Sequence, residues 1–280
     1  MANRYYASGE ERAAKVKELF GAIATRYDLI NDFQSFGLHR RWKKRLVRLA
    51  GFKPGERALD LCCGTGDVAF AMIDSGAEVF GLDFSLPMLM VASRKAHTLH
   101  ASVGRQNHSE ERRKSEAASA NCFEPLRKKS AFADLAPISF LRGDAMRIPF
   151  CDAQFDVVTI SYGLRNLADP QTGLTEMWRV LRPGGRLLVL DFGKPENASW
   201  RALYFAYLRW CVPGFGRFFC GDRDSYAYIL ESLAHYPGQR GIADLMQRMS
   251  FSDVRVIDFL GGVMSINYGV KGTSGASAVG

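Results

Sequence analysis

The stretch Asp60-Leu61-Cys62-Cys63-Gly64-Thr65-Gly66-Asp67 closes one short apolar run and opens an amphipathic one. RALDLCC (57–63) reads as a strand, Gly64–Gly66 as a turn and Asp67–Ser75 as a helix. The two glycines let the backbone turn through positive φ and approach a ligand closely. The same alternation runs outward. AEVFGLDFS (77–85), ISFLRGDA (138–145), FDVVTISYG (155–163) and RLLVLDFG (186–193) are strand-like. PMLMVASRKA (87–96) and GLTEMWRVL (173–181) are helix-like, and RPGG (182–185) is a turn. Continuous apolar strands alternating with helices predict parallel βαβ units buried on both faces. VRVIDFLGGVMSINYGV (254–270) predicts two strands around Gly261-Gly262, an antiparallel hairpin at the sheet edge. The expected fold is therefore α/β and Rossmann-like, with a seven-stranded, mostly parallel sheet.

The composition fits one large domain. The chain has 280 residues, 47% of them hydrophobic, which excludes a disordered protein. Its 37 basic and 29 acidic residues leave a net charge of +8, suited to an anionic surface. No apolar run reaches the ~18 residues of a spanning helix. The opening MANRYYASGEERAAK lacks the apolar core of a signal peptide, so a cytoplasmic place is expected. The cysteines at 62, 63, 122, 151, 211 and 220 form no CxxC pair and no zinc spacing, so no metal is expected.

Residues 1–50 read as an N-terminal helical lid segment ending in the basic helix HRRWKKRLVRLA (39–50). Residues 51–271 are expected to form the α/β domain, and 272–280 a flexible tail. Two segments interrupt the pattern. Residues 97–136 are polar and read as an inserted, solvated loop. Residues 196–250 read as a helical insertion rich in aromatics, including Trp200, Tyr204, Phe205, Tyr207, Trp210, Phe215, Phe218 and Phe219.

The carboxyl edge of such a sheet is where ligands bind. Asp83 follows Gly66 by 17 residues at the end of the second strand, placed to accept both ribose hydroxyls. Asp144-Ala145 ends the third strand, placed to hold an adenine by its amine and its face. Gly64-x-Gly66-x-x-Ala69 also fits the loose dinucleotide fingerprint, which keeps an NAD-dependent oxidoreductase as a rival. Acids at successive strand ends resemble the class I S-adenosylmethionine methyltransferases. Cys62 departs from their first motif, where glycine is common.

Two further segments narrow the resemblance. Tyr27-Asp28-Leu29-Ile30-Asn31, with Ser35, His39 and Trp42, resembles the N-terminal signature of the UbiE/MenG/Coq5 quinone C-methyltransferases. Ser161-Tyr162-Gly163-Leu164-Arg165-Asn166 and Arg179-Val180-Leu181-Arg182-Pro183-Gly184-Gly185 are similar to the same family's central motifs. The resemblance implies methyl transfer from S-adenosylmethionine to a ring carbon of a polyprenyl quinol. It implies that Thr65, Asp83, Asp144, Ala145 and Ser161 line the cofactor site, completed by Asp60, Gly64 and Gly66 of the turn. LDLCCG-type first motifs point to demethylmenaquinol as substrate. The alternatives are the ubiquinone precursor 2-methoxy-6-polyprenyl-1,4-benzoquinol and demethylphylloquinol. Methylation of RNA and a non-catalytic scaffold remain rivals. The lid signature favours quinones over nucleic acid.

A ring carbon becomes nucleophilic when its ortho hydroxyl loses a proton. Arg165 is the first candidate to stabilise the phenolate. Tyr162 and Asn166 are candidates to bond quinol oxygens, and His39 is a candidate base. Arg201, Arg209 and Arg217 interleave with the aromatics and suit lipid headgroups, so peripheral contact with a membrane is expected. The sequence permits a homodimer.

Overall fold

The computed structural model describes Gly21, Ala24, residues 27–99, 138–210, Leu230, Ser232, Leu233 and 236–273. Most of the 97–136 loop, Phe215, Arg217, Phe218, Phe219 and nearly all of the tail lie outside these residues.

Helices α1 (Tyr27–Ser35) and α2 (Leu38–Ala50) precede strand β1 (Arg57–Leu61). Then come α3 (Asp67–Ile73), β2 (Glu78–Asp83), α4 (86–99) and β3 (Ile138–Arg142). β4 (Phe155–Ser161) leads through a 3-10 turn, Leu164–Asn166, to α5 (Pro170–Val180) and β5 (Leu181–Phe192). α6 (Ala198–Trp210), α7 (Gly238–Arg248) and the hairpin β6 (Phe251–Phe259) and β7 (Met264–Lys271) follow.

The seven strands lie in the order β3-β2-β1-β4-β5-β7-β6. β1 to β5 are parallel, and β7 runs antiparallel between β5 and β6. The predicted sheet and hairpin are therefore present. They form because β1 and β4 bury almost every side chain, so both faces demand cover. One layer packs Leu164, Leu174, Met177, Tyr204 and Ile242 against Leu61 and Ile160. The other packs Leu46, Val68 and Met72 against Ala58 and Ile266.

Two boundaries differ from the sequence expectation. Leu181 is strand rather than helix, because it pairs with Phe155 before Arg186 pairs with Val157. The RPGG turn is thus an excursion within β5, bent at Gly184 with φ of 77°. Helix α4 runs to residue 99, so the polar segment begins inside a helix.

The strand order reverses between β1 and β4. Their carboxyl ends diverge there and open a crevice, the usual ligand position in a doubly wound sheet.

Candidate active site

The crevice opens to solvent, about 860 Å³ with that open space included, and it draws its walls from four strand ends and from helices α1 and α4. β1 supplies Cys62 and Gly64; β2 supplies Asp83 and Phe84. Beyond β3 come Asp144 and Met146; Ser161 ends β4, and Tyr162, Gly163 and Asn166 follow it. Tyr27 of α1 closes one side. A smaller hollow of about 310 Å³ shares the Cys62–Gly64 wall and adds Asp60, Thr65 and Lys43.

The β1 turn is built by unusual backbone. Cys62 has φ of 51°, Gly64 55° and Gly66 86°. Left-handed conformations favour glycine, which explains why the related motif carries glycine where Cys62 stands. Asp83 fastens this turn: its Oδ2 accepts the Gly64 N–H at 2.8 Å and its Oδ1 accepts the Ser85 N–H at 2.8 Å. Burial nevertheless pushes its carboxyl up from the usual range, against those backbone bonds.

Asp60 is fully enclosed behind the turn, where Thr159 Oγ1 donates to its Oδ1 at 2.8 Å. Burial raises it to about 7, against the Thr159 bond and the Lys43 charge. Between pH 4 and 7 the native state thus holds a proton that the unfolded chain has released, so stability falls as pH rises through that window. Asp60→Asn should flatten the decline, and the variant should be more stable than the parent at about pH 8. Urea unfolding at about pH 5 and pH 8 measures this; parallel profiles would refute the burial of a charge at this position.

An ionic cluster joins the N-terminal helices to the turn. Asp28 of α1 accepts from Thr65 Oγ1 at 2.7 Å and from Lys95 Nζ at 2.7 Å. Lys95 also meets Asp67 at 3.2 Å, and Lys43 of α2 meets it at 3.0 Å. Burial pulls Asp67 upward, but Lys43 and Lys95 outweigh it and hold its carboxyl at about 2. The helix α1 is thereby latched over the glycine turn.

Not every candidate lies in the cleft. Gly64, Asp83, Asp144, Ser161, Tyr162 and Asn166 line it, and Asp60 and Thr65 line the adjoining hollow. Ala145 is in the core beside it. Gly66 lies where a Cβ would come within 2.7 Å of the Phe70 ring. Arg165 is not among the residues that line the cleft. It is 4% exposed and pairs with Asp191 Oδ1 at 2.6 Å, with the Phe192 ring 4.6 Å from its guanidinium. It also donates to the Tyr162 carbonyl at 2.8 Å, which Asn166 Nδ2 reaches at 3.1 Å. Tyr162 is thus held at φ of 59°. His39 sits between the first two helices, its Nδ1 2.7 Å from Ser35 Oγ, and burial lowers its pKa.

The sequence reading missed Tyr27, Phe84 and Met146 as walls, and Asp191 as the partner of Arg165. Asp191 stands one residue before the end of β5 and Asp83 ends β2, so the strand-end rule already used could have found it.

Among the described residues, Ser161 Oγ, Tyr162 Oη and Asn166 Oδ1 are buried and have no hydrogen-bond partner. Buried polar atoms left unbonded cost about 1–3 kcal/mol each. Three of them on cleft-lining residues fit a polar ligand between β1 and β4. No group of acidic, cysteine or histidine side chains suited to a metal occurs among the described residues.

Strand order, antiparallel hairpin and carboxyl-edge cleft together define a class I methyltransferase. Solved structures share the fold. A SAM-dependent methyltransferase from Thermotoga maritima superposes with a TM-score of 0.53 at 15% identity, over 90% of this chain and 99% of that one. The phosphoethanolamine N-methyltransferase 2 of Haemonchus contortus, in complex with S-adenosyl-L-methionine, gives 0.53 at 16%, over 83% of this chain and 52% of that one. The chain belongs to the ubiE/COQ5 methyltransferase family, whose model matches residues 7–108 and 117–271. Only 109–116 inside the polar segment fall outside that match. A demethylmenaquinone methyltransferase from Listeria monocytogenes serotype 4a (strain HCC23) is 36% identical over 94% of this chain and 98% of its own length. A ubiquinone/menaquinone biosynthesis C-methyltransferase UbiE from Pectobacterium carotovorum subsp. carotovorum (strain PC1) is 35% identical over 94% and 92%.

Proposed function

We propose that this chain methylates a ring carbon of demethylmenaquinol to give menaquinol, with S-adenosylmethionine as donor. The observation that carries this reading is the 36% identity, over nearly the whole chain, to relatives named for that reaction. Bound in the cleft, S-adenosylmethionine supplies the electrophilic methyl and departs as S-adenosylhomocysteine.

Asp83 accepts the ribose hydroxyls with the lone pairs that its two backbone donors leave free. Asp144 takes the adenine amine, with Ala145 beside it. Asp60, Thr65 and the Gly64–Gly66 turn receive the amino-acid end, and Ser161 borders both. Asn166 and Tyr162 hold the quinol oxygens. Burial drives the Tyr162 phenol far above its usual pKa, so it donates a hydrogen bond and does not act as a base. Arg165 works through Tyr162 as a positioning residue, since Asp191 already holds its guanidinium. His39, neutral and bonded to Ser35, joins α1 to α2 and thereby supports the latch over the turn. The latch fixes the glycine turn against α1.

Incubating the purified chain with reduced demethylmenaquinol and methyl-labelled donor should give labelled menaquinol by mass spectrometry. Transfer to neither a naphthoquinol nor a benzoquinol would overturn the reading. A second reading, the benzoquinol precursor of ubiquinone, draws on the relatives named for both pathways, and the same assay with that quinol decides it. A polyprenyl tail places the substrate in a bilayer, so we assign the enzyme to the cytoplasmic face of a membrane as a peripheral protein.

A further inference from the structure

Helix α2, LHRRWKKRLVRLA, carries six Lys and Arg side chains and no acid. Arg40, Arg41, Lys44, Arg45 and Arg48 are exposed. Lys43 differs, with a side chain only 12% exposed. Taking an ammonium out of water is costly unless an anion answers it. Asp67 is one such anion, its Oδ2 accepting from Lys43 Nζ at 3.0 Å. Asp67 already has a second cation, however, in Lys95 at 3.2 Å. An ammonium has three N–H donors. Among the described residues Asp67 engages one of those on Lys43.

Lys43 lines the smaller hollow together with Asp60, Thr65 and Asp67, and its Nζ lies 6.0 Å from the centre of the Tyr162 ring. Lys95 does not line it and is engaged by Asp28 at 2.7 Å as well as by Asp67. There is room at the turn, since a Cβ on Gly64 would meet nothing within 4 Å. Ser161 Oγ, on a residue of the same wall, is buried without a partner.

These groups have the chemistry of a zwitterion site. Asp60 and Asp67 offer acceptors for an ammonium, and Lys43 offers donors for a carboxylate. Asp28 and Asp67 already balance Lys43 and Lys95, so a guest bearing both charges leaves the cluster balanced. A guest with a lone charge does not. The hollow shares the Cys62–Gly64 wall with the cleft, so one ligand can occupy both. Given S-adenosylmethionine as donor, the reading on which this rests, we infer that Lys43 binds its α-carboxylate and that of the product S-adenosylhomocysteine. Lys43 thereby makes the site specific for nucleosides that keep an intact amino-acid end.

The test is isothermal titration of the full chain with three nucleosides. They are S-adenosylhomocysteine, its decarboxylated analogue, which keeps the amine, and methylthioadenosine, which lacks both charged groups. The parent should prefer S-adenosylhomocysteine to the decarboxylated analogue by at least about tenfold, because hydrogen bonds between charged groups are the strong ones. Lys43→Gln should bind S-adenosylhomocysteine about tenfold more weakly, while the two carboxylate-free nucleosides stay within about twofold of the parent. Lys43→Arg keeps the charge and should restore most of the preference. Asp67→Asn removes the ion pair but keeps the lysine, and should also retain the preference. An equal loss for all three ligands in Lys43→Gln would make the lysine a prop for the turn and overturn the assignment. So would a parent indifferent to the carboxylate, or an Asp67→Asn variant as indifferent as Lys43→Gln. A parent that binds none of the three nucleosides overturns the donor reading and the role of Lys43 together.

Discussion

Asp83→Ala should remove S-adenosylhomocysteine binding, with a loss of more than about 100-fold by isothermal titration calorimetry. Two effects combine. The carboxylate is the acceptor assigned to two ribose hydroxyls, and hydrogen bonds to a charged group contribute about 1.5–3 kcal/mol each, so about 3 kcal/mol is the lower bound. The same carboxylate holds the Gly64 and Ser85 amides at 2.8 Å each, and without it the turn loses its anchor. Asp83→Asn separates the effects, because its carbonyl oxygen still accepts one amide. Burial already raises the pKa of Asp83, so the neutral amide should leave thermal stability unchanged or higher while affinity falls. Affinity within threefold of the parent in Asp83→Ala would remove the ribose assignment.

Asp191→Ala should cost about 3–5 kcal/mol of folding free energy, the range for breaking one side of a buried ion pair. Asp191 is 2% exposed and accepts from the Arg165 guanidinium at 2.6 Å and from the Arg165 and Phe192 amides at 3.1 and 2.8 Å. Truncating it takes the carboxylate from a guanidinium that is 4% exposed. Replacing both, Arg165→Met with Asp191→Leu, should regain most of that stability, because an apolar pair carries no desolvation penalty. The double variant should still be slow, since the Tyr162 carbonyl loses its 2.8 Å donor and the left-handed turn loses its brace. Urea unfolding and turnover, measured together, distinguish a stabilising pair from a positioning one. A cost under about 1 kcal/mol for Asp191→Ala would mean that water reaches the guanidinium.

The parts of the molecule that could be read from the sequence are those set by local chemistry. Strand–helix alternation, glycine punctuation and the Gly261-Gly262 reversal depend on near neighbours, and they lead directly to the seven-stranded sheet. Asp83 and Asp144 were legible because a strand end fixes where a side chain can point. Arg165 could not be placed so simply. Its partner lies 26 residues away on the neighbouring strand, and only register brings the two together. The latch was legible in part. Asp28 stood out, but Lys43, Asp67 and Lys95 come from three different helices, and no spacing rule joins them. Cys62 is the opposite case. Its left-handed backbone is hidden by a residue type that gives no conformational signal.

The contact between Cys62 and Gly163 carries an evolutionary consequence. Gly163 has φ of −103°, which any residue can adopt, so it is glycine for want of room. An added methyl would sit 2.5 Å from the Cys62 Cβ and 2.7 Å from its sulfur. The two positions therefore share one small volume, and only one can fill it. Homologues with glycine at 62 leave an alanine at 163 only the Ile160 side chain to displace, 3.1 Å away, whereas homologues with a side chain at 62 block it outright. The pair should covary across the family as a reciprocal exchange of bulk.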